Sequence, residues 1–134
     1  GILRSFLEQE LRQKDQIRSF SDQVRHTILN SGVKPPVTAA KAARHLGVSK
    51  ATLYRKLQDE QTTYGQLLDE TNFGIARGYL ENSELTVTEI GQIIGFAECA
   101  SFSRAFTRWS GGSSPSRYRR QFDARHSQPT PERD

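Results

Sequence analysis

The chain lacks most of what catalysis, disulfide stapling or membrane insertion would need. It has one cysteine, Cys99, so neither an intramolecular disulfide framework nor a cysteine-based zinc site can form. No apolar run approaches the roughly 18 residues of a membrane span, and no charged-then-apolar segment opens the chain as a signal peptide would. His26, His45 and His126 are scattered, without the His-Glu-x-x-His spacing of a metal site. There is no Gly-x-Ser-x-Gly, and the Gly-Gly-Ser-Ser run lacks the lysine of a phosphate-binding loop. These absences leave no enzyme, metal or cofactor to assign. Methionine is missing too: either an initiator was removed before Gly1 or the chain is a piece of a longer protein, and residues 1–19 favour the piece. The expectation is a soluble chain from a reducing compartment.

What is present is a modest core and an uneven charge. Hydrophobic residues make up 34% of 134 residues and the mean hydropathy is −0.68, which suits one small surface-rich domain or two very small ones. The formal net charge is +4, but it is ordered. Segment 41–56 carries five bases (Lys41, Arg44, Lys50, Arg55, Lys56) and no acid. Segment 59–98 carries eight acids and one base, Arg77, and segment 99–125 carries six arginines against Asp123. Two basic segments around an acidic one point to two contacts on one polyanion, or to solvated helix faces.

Helix signals run almost throughout. Leu3, Phe6, Leu7, Leu11 and Ile17 form a loose helical stripe over residues 3–17. Ser21 is read as the cap of a helix holding Val24, Ile28 and Leu29, ended by Gly32 and the Lys34-Pro35-Pro36 break. Thr38 caps a short helix to about Leu46, Gly47-Val48-Ser49 turns the chain, and Ser49 caps a helix to about Gln58. Residues 63–82 read as one long helix, with Tyr64, Leu67, Leu68, Ile75, Ala76, Tyr79 and Leu80 on one face. Thr86-Val87-Thr88-Glu89 is a capping box for a helix ending near Gly95, and another runs from about Cys99 to Trp109. Ser114-Pro115 opens a last helix through Tyr118 and Phe122; from Asp123 on, composition predicts disorder.

An internal repeat organises these elements. Shifted by 48, residues 37–48 overlay 85–96, matching Thr38 with Thr86, Ala43 with Gly91, Gly47 with Gly95 and Val48 with Phe96. Shifted by 49, Leu53 meets Phe102, Arg55 meets Arg104 and Leu57 meets Phe106. Each copy has a small residue where a second helix crosses, a glycine in the turn, and apolar residues at i and i+4. That is the plan of a helix-turn-helix, whose second helix enters a DNA major groove.

With these motifs in view, the chain resembles the DNA-binding domain of the AraC/XylS family of bacterial transcription regulators. The resemblance covers about residues 20–122. It is carried by I-G-Q-I-I-G-F, S-F-S-R-A-F-T-R-W and S-P-S-R-Y-R-R, and by A-A-R-H-L-G-V-S-K-A-T-L-Y-R-K-L in the first half. It implies an all-α fold of about seven helices, with two helix-turn-helix subdomains joined by a long linker helix. Residues 1–19 would be a linker or remnant of a preceding domain, 20–62 the first subdomain, 63–82 the linker helix, 83–122 the second and 123–134 a disordered tail. Recognition helices would be 49–58 and 99–109. By the same resemblance the partners are promoter duplex DNA and RNA polymerase, with no membrane, activation is commoner than repression, and the place of work is the bacterial cytoplasm at the nucleoid. The domain itself is expected to be monomeric, the whole protein open to dimerisation through an N-terminal domain. The chain departs from the family pattern at Ala51, where a basic residue is usual, at Gln61, where glycine often stands, around Asn72-Phe73, and in a loop before Ser114 one residue longer.

Helical geometry supplies the candidate interface. Positions exposed opposite Leu53 and Leu57 are Ala51, Thr52, Tyr54, Arg55 and Gln58; those opposite Phe102 and Phe106 are Cys99, Ala100, Ser101, Ser103, Arg104 and Arg108. Of these, Ala51, Thr52, Tyr54, Arg55, Cys99, Ala100, Ser101, Ser103 and Arg104 are candidates for base readout. Arg55 and Arg104 suit bidentate contact with guanine, against phosphate contact or a surface ion pair. Ala51 and Ala100 either touch thymine methyls or simply permit close approach. Thr38, Lys50, Gln58, Thr86, Arg108, Arg117, Arg119 and Arg120 are candidates for phosphate, with plain capping an equal reading for the two threonines. Cys99 reads as a small residue at a helix start, with a thiol sensor as the alternative. A different function class, a protein-binding helical adaptor, would need Phe106, Trp109 and Tyr118 exposed, where the repeat needs core.

Overall fold

The computed structural model describes residues 2–5, 18–30 and 35–127. Residues 2–5 are helical; the remainder of the expected 3–17 stripe and the proposed Gly32 stop lie outside the described residues. Seven further helices follow: α1 (Phe20–Asn30), α2 (Ala39–His45), α3 (Lys50–Asp59), α4 (Tyr64–Asn82), α5 (Val87–Ile94), α6 (Cys99–Ser110) and α7 (Pro115–His126). Among the described residues there is no strand. The fold is thus all-α, in two helix-turn-helix units on one linker helix.

Two cores explain the two units. Val24, Ala42, Ala43, Leu53, Leu57, Tyr64 and Leu67 close the first, drawing on α1, α2, α3 and the start of α4. Ala76, Leu80, Ile90, Ile94, Phe102 and Phe106 close the second, drawing on the end of α4, α5 and α6. The apolar face of α4 therefore changes partner along its length. Where the first unit buries leucines, the second buries phenylalanines at matching positions. Phe102 and Phe106 meet edge to face at 6.1 Å, and Phe73 and Tyr118 pack on Phe106 at 5.4 and 5.6 Å.

Local chemistry sets the helix ends. Thr38, Ser49, Thr63 and Ser114 each accept a bond from a backbone N–H one turn on. Thr86 and Glu89 form a reciprocal capping box, Glu89 N–H to Thr86 Oγ1 at 3.1 Å and Thr86 N–H to Glu89 Oε1 at 2.8 Å. At their other ends α2, α3, α5 and α6 close in the same way: the N–H one residue past a left-handed residue returns to the carbonyl five positions back. The donors are Val48, Thr62, Phe96 and Gly112, at 2.9–3.0 Å. The left-handed residues are Gly47, Gln61, Gly95 and Gly111. Gln61 takes a φ of 62° where its counterpart in the second unit is a glycine.

Three expectations need correction. Ser21 does not cap α1: the helix starts at Phe20 and Ser19 Oγ accepts from Asp22 N–H at 3.1 Å. Ser21 sits in the first turn, and a carboxylate 39 residues away finishes the cap. Glu60 takes Phe20 N–H and Ser21 N–H at 3.0 Å each and the Ser21 hydroxyl at 2.5 Å. Leu29 falls outside the core stripe, half exposed at 50%. Finally, α7 continues four residues past Phe122 to His126, so 123–126 are helical rather than disordered; the tail from 128 on lies outside the described residues. Phe122 and His126 stack at 4.0 Å on that added turn, which composition alone does not reveal.

Candidate nucleic-acid interface

The second helix of each pair is seated by its apolar edge. In the first unit Leu53 and Leu57 are fully buried, which turns Ala51, Tyr54, Arg55 and Gln58 to solvent. In the second, Phe102 and Phe106 are fully buried, and Cys99, Ala100, Arg104 and Arg108 are exposed. Thr52, Ser101 and Ser103 are only half-buried. The Thr52 hydroxyl turns back to the cap, 2.9 Å from Ser49 Oγ. Gly91 lets α6 come close to α5: a Cβ there would stand 3.0 Å from Cβ and ring atoms of the fully buried Phe102. The sequence pattern assigned that role to the small residue of each pair, and in the second unit Gly91 faces the Phe102 side chain at close range.

The exposed faces are basic but not alike. On α3, Lys50, Arg55 and Lys56 stand with no acid before Asp59, and Lys50 Nζ lies 5.8 Å from the ring centre of Tyr54, itself 48% exposed. On α6, the Arg104 guanidinium reaches Ser101 Oγ only at 3.5 Å, while Arg108 lies 3.9 Å from Asp69 on α4. The starts of α2 and α5 differ as well. Lys41 in the first unit is matched by Glu89 in the second, and Glu89 already occupies the Thr86 N–H. An anion meets a cation beside one helix start and a carboxylate beside the other.

Arg119, expected among the phosphate contacts, is committed inside the fold. Its Nε donates to the Leu80 carbonyl at 3.1 Å, and its Nη2 to the Tyr79 and Ser83 carbonyls at 3.2 Å each. It closes the C-terminus of α4, where carbonyls lack helical partners. Arg117 and Arg120 on the same helix are exposed. Nearby, Tyr118 donates its hydroxyl to Glu81, and burial, followed by that bond, raises its pKa. Tyr64, buried under α3, donates to the Val37 carbonyl; burial first, then Tyr54, pushes its pKa up to about 12. Glu60 moves the other way, its pKa lowered chiefly by the Ser21 hydroxyl. The roles of Arg119 and Glu60 join positions 36 to 40 residues apart, and no local pattern signals them. That of Ser19 was signalled by Ser19-x-x-Asp22, a capping spacing that competes with Ser21.

The aromatic anchors an adaptor would need are buried or partly buried. Phe106 is fully buried, and Trp109 and Tyr118 pack against the second core. Cys99 is an exposed free thiol at the start of α6. Among the described residues no His, Cys, Asp and Glu cluster could hold a metal ion, and no helix is long and apolar enough to cross a membrane.

Known proteins share this arrangement. The family profile described as a helix-turn-helix domain matches residues 42–121. The HTH-type transcriptional regulator VqsM of Pseudomonas aeruginosa is 41% identical over 71 residues, covering 53% of this chain and 22% of VqsM. The transcriptional activator AggR of Escherichia coli is 30% identical over 69% of this chain and 34% of its own length. The crystal structure of the transcriptional regulator CdpR from Pseudomonas aeruginosa superposes with a TM-score of 0.70 at 29% identity, over 82% of this chain and 34% of CdpR. The chain thus spans about a fifth to a third of the length of these relatives. The chain belongs to the AraC/XylS family of transcription regulators, and what it contributes is their two-unit helix-turn-helix DNA-binding domain.

Proposed function

We propose that this domain binds duplex DNA sequence-specifically as a monomer, laying α3 and α6 into successive major-groove segments on one face of a promoter. The observation that carries this is the duplication itself: two recognition helices, each buried on one edge and bearing an exposed arginine at the same register (Arg55, Arg104), are joined through one long helix. The 19 residues of α4 span about 28 Å at 1.5 Å per residue, near the roughly 34 Å of a B-DNA turn. The shortfall is met by DNA bent toward the protein.

Arg55 and Arg104 take guanine edges; Ala51, Thr52, Tyr54, Cys99, Ala100, Ser101 and Ser103 shape the readout around them. Lys50, Gln58, Arg108, Arg117 and Arg120 take phosphates, as does the α2 start at Thr38. The α5 start at Thr86 is the poorer phosphate site because Glu89 stands on it. We assign the sign of regulation as activation, since AggR and VirF of Shigella flexneri are named activators, and RNA polymerase as the protein partner at the promoter. The test compares a site selected from random oligonucleotides with an unrelated duplex. Arg104→Ala should cost about 1–3 kcal/mol on the selected site and relax preference at one or two bases. An equal loss on both duplexes contradicts base readout by Arg104.

A further inference from the structure

The two units touch at a second place besides α4. A Cβ on Gly95, in the turn of the second unit, would lie 2.9 Å from Cα and N of Pro36 and 3.1 Å from Cβ of Pro35. The turn therefore rests directly on the Pro35-Pro36 segment that leads into the first unit. That segment is anchored. Val37 is buried in the first core and its carbonyl accepts the Tyr64 hydroxyl, while Lys41 Nζ donates to the Pro36 carbonyl at 3.1 Å. Each proline ring fixes its own φ, and Pro36 restricts Pro35 before it, so this segment has few conformations open to it.

We infer that Pro35 and Pro36 are positioning residues: with Gly95 they form a strut that fixes the spacing and rotation between the two recognition helices and so sets which separation of DNA boxes the domain accepts. A single helix joining two units still bends and lets them twist about its axis. A contact off that axis removes the freedom. Gly95 serves the strut twice over, since its φ of 118° and the nearness of Pro36 both exclude a side chain. The inference rests on the reading that both units engage DNA, and its consequence is spacing selectivity. One inserted base pair moves the second box by about 3.4 Å and turns it by about 35°. A rigid pair of readers rejects that change; a loose pair tolerates it at lower peak affinity.

Two measurements test it on the Pro35→Gly, Pro36→Gly double variant, with Pro35→Gly alone held in reserve should the pair fail to fold. The first is binding to a selected two-box duplex with the spacer shortened or lengthened by one base pair, beside duplexes carrying one box. The parent should lose about tenfold on either altered spacer, and the variant about threefold or less, with single-box binding equal in both proteins. The second uses no DNA: spin labels at Arg44→Cys and Gln92→Cys, with Cys99→Ser, should give one narrow distance that broadens in the proline variant. If the parent binds one box as tightly as two, the two-reader function fails, and the label distances alone decide the strut. An unchanged distance distribution, or a spacing profile identical to the parent's, overturns it.

Discussion

Arg104 and Arg119 are the same residue type in the same basic segment, and they should behave oppositely. Arg104 is exposed with one long contact, whereas Arg119 satisfies three carbonyls at the end of α4. Arg119→Ala should lower unfolding stability by about 1–3 kcal/mol, read by thermal or urea denaturation, while DNA affinity measured well below the transition stays near the parent's. Arg119→Lys should recover little, because an ammonium lacks the fork that spans several carbonyls. Gln61 offers a second check at this scale. It holds a left-handed conformation where the equivalent Gly111 carries no penalty, so Gln61→Gly should raise stability by about 0.5 kcal/mol, after allowance for the looser unfolded chain. A drop in melting temperature would contradict that assignment of strain. Cys99→Ser should bind DNA nearly as the parent does; loss of parent binding in mild peroxide, absent in the variant, would instead support a thiol sensor.

Helices α5 and α6 depend on Gly91 for their approach. Gly91→Ala improves helix propensity by about 1 kcal/mol but sets a methyl 3.0 Å from the fully buried Phe102, which must shift within the packed core to accept it. The net effect should be a loss of about 1–2 kcal/mol together with weaker DNA binding through a displaced α6, both measurable on one preparation. Helix α1 carries a pH signature. Glu60 caps it as a carboxylate, and its pKa is lowered below 4.5 in the folded state. The stabilisation is thus present above that value and is lost as pH falls through the folded-state pKa. Glu60→Gln should therefore melt below the parent near neutral pH, with the gap closing in acid; a constant gap would remove the cap from the account.

These elements also mark how far the sequence could be read. The repeat of Thr, small residue, Gly and paired apolar positions located α2, α3, α5 and α6, because every relation in it lies within about one helical hairpin. The long periodic face of α4 was equally legible, although not its division between two cores. Ser19 lost to Ser21 because two hydroxyls compete for one cap. The Glu60 cap, the Arg119 lock and the Pro36–Gly95 contact bring together residues distant in the chain, and nothing near any of them in sequence signals its partner. Of the interface, the exposed arginines and the buried edges were legible from periodicity; the three carbonyl bonds of Arg119 were not, because a charge run does not reveal which guanidinium folds back on the chain.

For the whole molecule the unequal charge of the two units matters. Lys50, Arg55 and Lys56 lie on α3, whose one acid, Asp59, is its last residue, whereas Arg108 on α6 stands near Asp69. Lys50→Ala should reduce the slope of log affinity against log salt by about one phosphate contact, and Arg108→Ala by less. On the proposed reading, one chain engages two unlike boxes one helical turn apart, its units related by chain repetition rather than by a dimer axis. The most direct measurement is footprinting with stoichiometry on a selected duplex before and after about five base pairs are inserted between the boxes, half a turn of B-DNA. The expected result is one protein per parent site, protection of both boxes, and loss of joint protection after the insertion, because the second groove then faces away. Binding only as a dimer to a palindrome, or joint protection that survives the insertion, would contradict it.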